Sequence, residues 1–291
     1  MKMRIATSVA AIAVAATPLV TSVASSTPDP VGAKTTQSRA DKPKGLTPTW
    51  KTFNTTIGRG TKIVVSTGGN ITSYLSPNIP TAQYEHIGVG AVGEGYVLCY
   101  SGLSGSAFDL GQSQSGFAAP TTSGTQVKRK TSDGRMQLTQ SFTFSPGSNN
   151  GGTTLNIGMS VKNLTGSTIN NVILRRQVDF DIDTGGAQGW AGFQSNHART
   201  KAAVIAFHDP SEAPANREAH GIMLSNSNGV SAVFTTLVTA NILDSACSPA
   251  PAPQSPEFFV SRGDFGDSIS YDIGNLAPGA TKTVGIRYQR I

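Results

Sequence analysis

Residues 154–162, with the sequence TLNIGMSVK, decide the fold class of this chain. Leu155, Ile157, Met159 and Val161 occupy every second position, and small or polar residues lie between them. Successive side chains of a β-strand point to opposite faces of the sheet. A period of two therefore predicts a strand with one face in the core and the other facing solvent.

The same alternation recurs in residues 136–144, 178–182 and 284–288. Turn-forming sequences separate such segments, among them Ser132-Asp133-Gly134 and Asn226-Ser227-Asn228-Gly229. No long segment has the 3.6-residue period of a helix. Many strands joined by short turns predict an all-β protein with little helix, built as an antiparallel β-sandwich.

The N-terminal segment has the features of an export signal. Lys2 and Arg4 precede an uncharged, mostly apolar run, and Ser22-Val23-Ala24 fits a signal-peptidase site. The run is shorter than the ~20 residues that a membrane span needs, so we predict a cleaved signal peptide at 1–24 and no stable membrane span. The protein is then secreted, to the extracellular space, the periplasm or the cell surface.

The rest of the chain divides into a leader and a body. Residues 25–48 are rich in Ser, Thr and Pro and have almost no large apolar side chains, which predicts a disordered leader. Residues 49–291 form the predicted sandwich domain. The Gly- and Asn-rich stretch 145–153 is either a linker between two fused sandwiches or the loop of one long hairpin in a single large one.

Most of the net positive charge of the chain lies in its N-terminal part. The 291 residues carry 23 basic and 17 acidic side chains, a formal net charge of +6, whereas residues 49–291 carry 17 basic and 15 acidic ones. A nearly neutral body without a recognisable aromatic nucleic-acid motif predicts no nucleic-acid partner.

The chain has two cysteines, Cys99 and Cys247. Cys99 lies near the end of an apolar strand-like run, and Cys247 begins a Pro-rich segment. In an exported protein an even number of cysteines favours a disulfide, and we predict a bridge between these two. The alternative is a pair of buried free thiols.

The most specific candidate site in the sequence consists of Asp179, Asp181 and Asp183. On one face of a strand, neighbouring carboxylates of this spacing lie roughly 6.5–7 Å apart. They could converge on a Ca²⁺ ion, or provide an acid/base pair for glycoside cleavage. They could also be a solvated strand face that pairs with Arg175 or Arg176. No other cofactor is required by any motif in the sequence.

A second candidate site combines Trp190, His197 and Arg199, which lie in a Gly-rich stretch and could line a groove for a sugar or polymer. In the alternative interpretation, the aromatic residue is a satellite of the hydrophobic core. No catalytic serine elbow, zinc-binding helix or phosphate loop occurs in the sequence.

The C-terminal segment carries a resemblance to known proteins. Leu276-Ala277-Pro278-Gly279, followed by alternating Val284, Ile286 and Tyr288, resembles the closing strand of bacterial secreted Ig-like modules. Stretches 70–77, 84–87 and 94–97 are similar to the opening of large bacterial secreted β-sandwiches. The resemblance implies the fold and assigns no catalytic residue.

Three functions are consistent with these features. The leading hypothesis is a secreted or surface-associated monomer that binds an extracellular polymer such as a polysaccharide. The first alternative is a secreted polymer-degrading hydrolase or lyase that uses Asp179, Asp181 and Asp183. The second is a structural protein of the envelope or matrix.

Overall fold

The computed structural model describes most of the body of the chain. The described residues are 48–54, 60–79, 82–87, 93–111, 113–147, 153–180, 182, 195–199, 203–207, 221–227, 233–239, 245, 258–263 and 266–291. The predicted signal peptide and almost all of the predicted leader lie outside these ranges, so both stay predictions.

The described residues form nineteen β-strands in three antiparallel sheets and contain no helix. The predicted all-β fold is confirmed. The smallest sheet has the order β1-β2-β3-β4. Its strands are β1 (Thr49–Asn54), β2 (Lys62–Ser66), β3 (Ile71–Ile79) and β4 (Ala82–Glu85).

The six-stranded sheet provides one layer of the sandwich. Its strands are β5 (Glu94–Cys99), β6 (Ala107–Asp109), β7 (Gln114–Ser115), β12 (Ile169–Asp179), β16 (Val233–Thr239) and β18 (Gly266–Leu276). The order is β16-β18-β12-β5-β6-β7, which places β12 in the interior of the sheet.

The nine-stranded sheet provides the other layer. Its strands are β8 (Thr121–Ser123), β9 (Gln126–Lys130), β10 (Met136–Ser145), β11 (Thr154–Asn163), β13 (Ser195–Arg199), β14 (Ala203–Phe207), β15 (Gly221–Asn226), β17 (Phe258–Gly263) and β19 (Thr281–Arg290). The order is β17-β13-β14-β15-β19-β11-β10-β9-β8.

The segment that predicted the fold class lies at the centre of the nine-stranded sheet. β11 pairs with β10 from Met136↔Asn163 to Ser145↔Thr154 and pairs with β19 along its other edge. The segment 145–153 therefore connects a β-hairpin, and strands from both sides of it belong to the same sheet.

The core follows the alternation in the sequence. Leu155, Ile157, Met159 and Val161 are buried in one cluster that also contains apolar residues of β12 and β18. β12 departs from the simple pattern, because all of its residues from Leu174 onward are buried, whichever face they occupy. Burial of both kinds of position means that this part of β12 is covered on each side of its sheet.

The closing strand is anchored by one side chain of β11. Asn163 Nδ2 donates hydrogen bonds to the carbonyls of Leu276 (2.9 Å) and Ala277 (3.1 Å), and the Asn163 amide donates to the Ala280 carbonyl (2.9 Å). These bonds hold the Pro278-Gly279 turn, in which Gly279 has a positive φ of 68°. No helix among the described residues is both long and apolar enough to cross a membrane.

Candidate functional site

Of the three predicted aspartates, the structure describes only Asp179. It is the last residue of β12 and is buried, so the interpretation of this residue as part of a solvated face is wrong. Of the two arginines suggested as partners, Arg176 forms an ion pair with Glu94, and Arg175 Nε donates to Ser270 Oγ at 3.0 Å. The described residues contain no group of three potential metal ligands. Asp181 and Asp183 lie outside the described residues, so the Ca²⁺ site stays a prediction.

The second predicted site is described in part. His197 and Arg199 lie on β13, between β14 and β17, near one edge of the nine-stranded sheet. Trp190 lies outside the described residues, so the predicted groove stays a prediction.

Cys99 is buried at the end of β5, and Cys247 lies outside the described residues. One contact bears on their predicted bridge. β5 and β6 pair through Leu98↔Ala107, and Ser106 Oγ, just before β6, donates to the Ser245 carbonyl at 2.6 Å. Ser245, which precedes Cys247 by two residues, thus lies next to the strand pair β5–β6, and β5 ends at Cys99.

The sandwich interior contains a polar centre that the sequence analysis missed. Arg176 of β12 and Glu94 of β5 are both 0% exposed and form an ion pair. Arg176 also donates to Gln140 Oε1 (2.5 Å) and to the Gly69 carbonyl (3.0 Å). Glu94 accepts further hydrogen bonds from the Tyr288 hydroxyl (2.7 Å) and the Ile71 amide (2.8 Å). Residues of all three sheets therefore meet on one ion pair.

The turn between β2 and β3 inserts into this polar centre. Gly68 and Gly69 are buried, and the Gly68 carbonyl accepts hydrogen bonds from the Tyr96 hydroxyl (2.7 Å) and Gln140 Nε2 (3.2 Å). Gly69 has a φ of 90°, and a Cβ on it would collide with the Gln140 amide. Only glycine fits there. A second buried ion pair, Arg129–Asp109 at 2.5 Å, lies beside the turn.

The electrostatics of the polar centre are those of a sealed interior. Burial raises the pKa of the Glu94 carboxyl above its ordinary value, in spite of the opposing charge of Arg176 and the hydrogen bonds from Tyr288 and Ile71. Burial also raises the pKa of the Tyr288 hydroxyl, an effect that the Glu94 charge reinforces. Because these groups are buried and bonded to one another, the polar centre holds the sheets together and is closed to a substrate.

Ser76 and His86 form another pair with catalytic residue types. Ser76 Oγ and His86 Nε2 are 2.6 Å apart, and both residues are 0% exposed. The neighbouring Glu85 accepts hydrogen bonds from Ser73 Oγ (2.5 Å) and the Tyr74 amide (2.6 Å). A nucleophile has to reach its substrate, and this hydroxyl does not reach the surface, so the pair is structural.

The nine-stranded sheet has a polar face on the side opposite the core, whose residues are exposed or half-buried except for the buried Gly285. We define the outer face as the odd-numbered residues of β10 and β19 and the even-numbered residues of β9 and β11. It consists of Ser, Thr, Asn, Gln and Gly together with Lys128, Lys130, Lys162 and Arg287. None of these residues has a carboxylate or an aromatic ring.

The middle of the outer face is flat. Gly158 of β11 pairs with Gly285 of β19, and a Cβ on Gly158 would meet nothing closer than Ser141, at 3.9 Å. On one side of this glycine trough, Ser160 Oγ and Thr283 Oγ1 are hydrogen-bonded at 2.7 Å. On the other side, Arg287 Nε donates to Asn156 Oδ1 at 3.0 Å. The arrangement is an array of hydrogen-bonded hydroxyl and amide groups on both sides of two glycines that have no side chain.

Comparison with known proteins identifies a fold and no family. No family model matches the sequence, and no curated protein matches it. Among solved structures, the chain is similar to a bacterial glucoamylase complexed with acarbose, with a TM-score of 0.52 and 13% sequence identity. The match covers 86% of this chain and 34% of that one, so this chain spans about a third of that protein's length. At this identity the similarity shows the fold alone.

Proposed function

We propose that this protein is an exported β-sandwich that binds an extracellular polysaccharide on its outer face without cleaving it. The observation that carries the proposal is the glycine trough with its flanking hydroxyl and amide groups. Polysaccharide chains are rich in hydroxyls, so a flat array of donors and acceptors fits an unbranched stretch of one along its length. Because neighbouring side chains already bond one another across the strands, little ordering entropy is lost on binding.

The structural comparison gives independent support. The similar structure is, by its description, a glucoamylase bound to acarbose, and the similarity extends over most of this chain. The sandwich fold thus occurs in a protein that acts on carbohydrate. The comparison suggests carbohydrate as the class of ligand and nothing more. No activity and no residue role is carried over, because proteins of one fold can have different functions.

The remaining parts of the proposal come from the sequence. The signal-like segment at 1–24 supports export, and the nearly neutral body supports a partner other than nucleic acid. In this proposal the protein acts as a monomer, and ligand binding requires no cofactor. A Ca²⁺ ion at Asp179, Asp181 and Asp183 would have a structural role only. Cleavage by a hydrolase or lyase has no supporting geometry among the described residues, since Asp179 is buried and the Ser76–His86 pair is closed.

The test is affinity electrophoresis of the mature protein in native gels that contain one polysaccharide each, combined with a reducing-end assay on the same polymers. We expect retarded migration in at least one gel and no release of reducing ends. No retardation in any gel, or turnover of a polymer, would overturn the proposal.

A matched pair of variants locates the site. Gly158→Trp places a large ring in the trough, at a position where a Cβ would meet nothing closer than Ser141, at 3.9 Å. Gly166→Trp adds the same ring in an exposed turn, where a Cβ would meet nothing within 4 Å. We expect Gly158→Trp to abolish retardation and Gly166→Trp to leave it unchanged. Equal retardation of both variants would exclude the trough as the binding site.

A further inference from the structure

The outer face has a strongly positive end. Lys130 pairs with Gln137 on β10, and Gln137 pairs with Lys162 on β11, so the two lysines flank one glutamine. Two strand spacings separate them, about 10 Å between backbones. Lys128 lies two residues from Lys130 on the same face, roughly 7 Å away. We call these three exposed residues, Lys128, Lys130 and Lys162, the lysine cluster.

No residue of the outer face neutralises the lysine cluster. Two ion pairs among the described residues, Arg129–Asp109 and Arg176–Glu94, are buried inside the sandwich. The outer face contains no carboxylate. Residues 49–291 as a whole carry 15 acidic side chains against 17 basic ones, so the positive charge is a local feature of this face.

The outer face also lacks aromatic side chains, which would contribute most to the binding of a neutral polymer. Aromatic rings give a binding surface much of its contact area and stacking energy, and the outer face has none. Affinity here must then come from hydrogen bonds and charge. Lysine is a compact, strongly hydrated point charge that pairs with anionic oxygens, and clustered cations raise both the local concentration of a polyanion and its rate of association.

We infer that the outer face binds an acidic polysaccharide, with the lysine cluster on its carboxylate or sulfate groups and the glycine trough on its hydroxyls. This inference rests on the proposed function and narrows its ligand class. A ligand with both anionic groups and many hydroxyls matches the two parts of the face, charged at one end and uncharged in the middle. Nucleic acid matches it less well, because no aromatic side chain is present on this face on which bases could stack.

The test measures the dissociation constants of the mature protein for four probes at low and high salt. The probes are polygalacturonate for carboxylates, dextran sulfate for sulfates, dextran as the neutral polymer and single-stranded DNA as a polyanion of another class. We expect binding to at least one acidic polysaccharide that weakens as salt rises, because screening acts on exposed charges. Binding to dextran or DNA should be at least tenfold weaker.

Two triple variants separate position from net charge. Lys128→Gln/Lys130→Gln/Lys162→Gln removes the lysine cluster. Lys62→Gln/Arg135→Gln/Lys282→Gln removes the same charge from described residues that are not part of the outer face. We expect the first to raise the dissociation constant at least about tenfold, or ~1.4 kcal/mol, and the second to leave it nearly unchanged. Thermal unfolding verifies that both fold, and Lys162→Gln alone serves if the first triple variant does not.

Each result has a defined meaning. Equal losses in both triple variants, or DNA binding as tight as polysaccharide binding, would overturn the inference in favour of nonspecific attraction to polyanions. Binding of dextran as tight as that of the acidic polymers, unaffected by the triple variants, would overturn the inference and leave the proposed function intact. Failure to bind any polysaccharide would overturn both.

Discussion

Removal of the Arg176 guanidinium should destabilise the fold strongly. In Arg176→Met the aliphatic volume is largely kept, but Glu94 becomes a buried carboxylate without its cation, which costs about 3–5 kcal/mol. The Gly69 carbonyl loses its donor as well, which adds about 1 kcal/mol. For a body of this size, a total of about 4–6 kcal/mol lowers the melting temperature by roughly 8–24 °C.

The destabilisation should depend on pH in a defined direction. The pKa of Glu94 is already raised by burial, and loss of the opposing Arg176 charge raises it further. A carboxyl with a raised pKa in the folded state contributes stability that is present below its unfolded pKa and is lost as pH rises through the folded pKa. Arg176→Met should therefore be closest to wild type near about pH 4 and furthest from it near about pH 8.

Equilibrium urea unfolding at several pH values measures both effects. Arg287→Met is the control, because it removes an arginine from the outer face and its hydrogen bond to Asn156 and should cost about 1 kcal/mol or less. Glu94→Gln/Arg176→Met should be about 1–3 kcal/mol more stable than Arg176→Met, because the double variant has no uncompensated charge. The reasoning is refuted if Arg176→Met costs no more than the control, or if the double variant is the less stable of the two.

Three further predictions concern the predicted bridge, a turn and the predicted cation site. Intact protein should show no titratable thiol under denaturing conditions, and Cys99→Ser/Cys247→Ser should lose about 2–5 kcal/mol; two reactive thiols would disprove the bridge. Asp133 accepts hydrogen bonds from the Thr131 hydroxyl (2.6 Å), the Arg135 amide (3.0 Å) and the Tyr100 hydroxyl (2.8 Å). Burial raises the pKa of the Asp133 carboxyl, but these hydrogen bonds outweigh burial and the net pKa is lowered. The carboxylate therefore stabilises the fold at neutral pH, and this stabilisation is lost as pH falls through the folded pKa. Asp133→Asn should accordingly show a smaller loss of melting temperature than wild type between about pH 6 and about pH 2, and parallel curves would contradict this. Millimolar Ca²⁺ should raise the melting temperature of wild type and not of Asp181→Asn/Asp183→Asn, and an unchanged wild-type melting temperature would count against the site.

The fold class was predictable because alternation is a local property. Leu155, Ile157, Met159 and Val161 are buried because each lies on the core face of β11, and no knowledge of the partner strands is needed to see that. The alternation failed at Asp179, since the whole end of β12 is buried on both faces. Burial of both faces depends on what packs against each side of the six-stranded sheet, and a period of two carries no information about that.

The polar centre could not be predicted for a related reason. Gln140 was a detectable signal, since it is a polar residue at a core position of an otherwise apolar strand face. A glutamine at such a position indicates that a buried polar partner exists, but it does not show which residue the partner is. Arg176, Glu94 and Gly69 are far from it in sequence, and only the packing of three sheets brings them together.

The basic run Lys128-Arg129-Lys130 shows how one short motif takes two roles. Alternation turns Arg129 inward, where it pairs with Asp109, and leaves the two lysines outside. The run is therefore not a single basic patch on one face of β9. The sequence cannot show that the register of β9, β10 and β11 adds Lys162 to the same surface. Because register is fixed by the buried apolar faces of these strands, the interactions that build the core also determine which charges meet on the outer face.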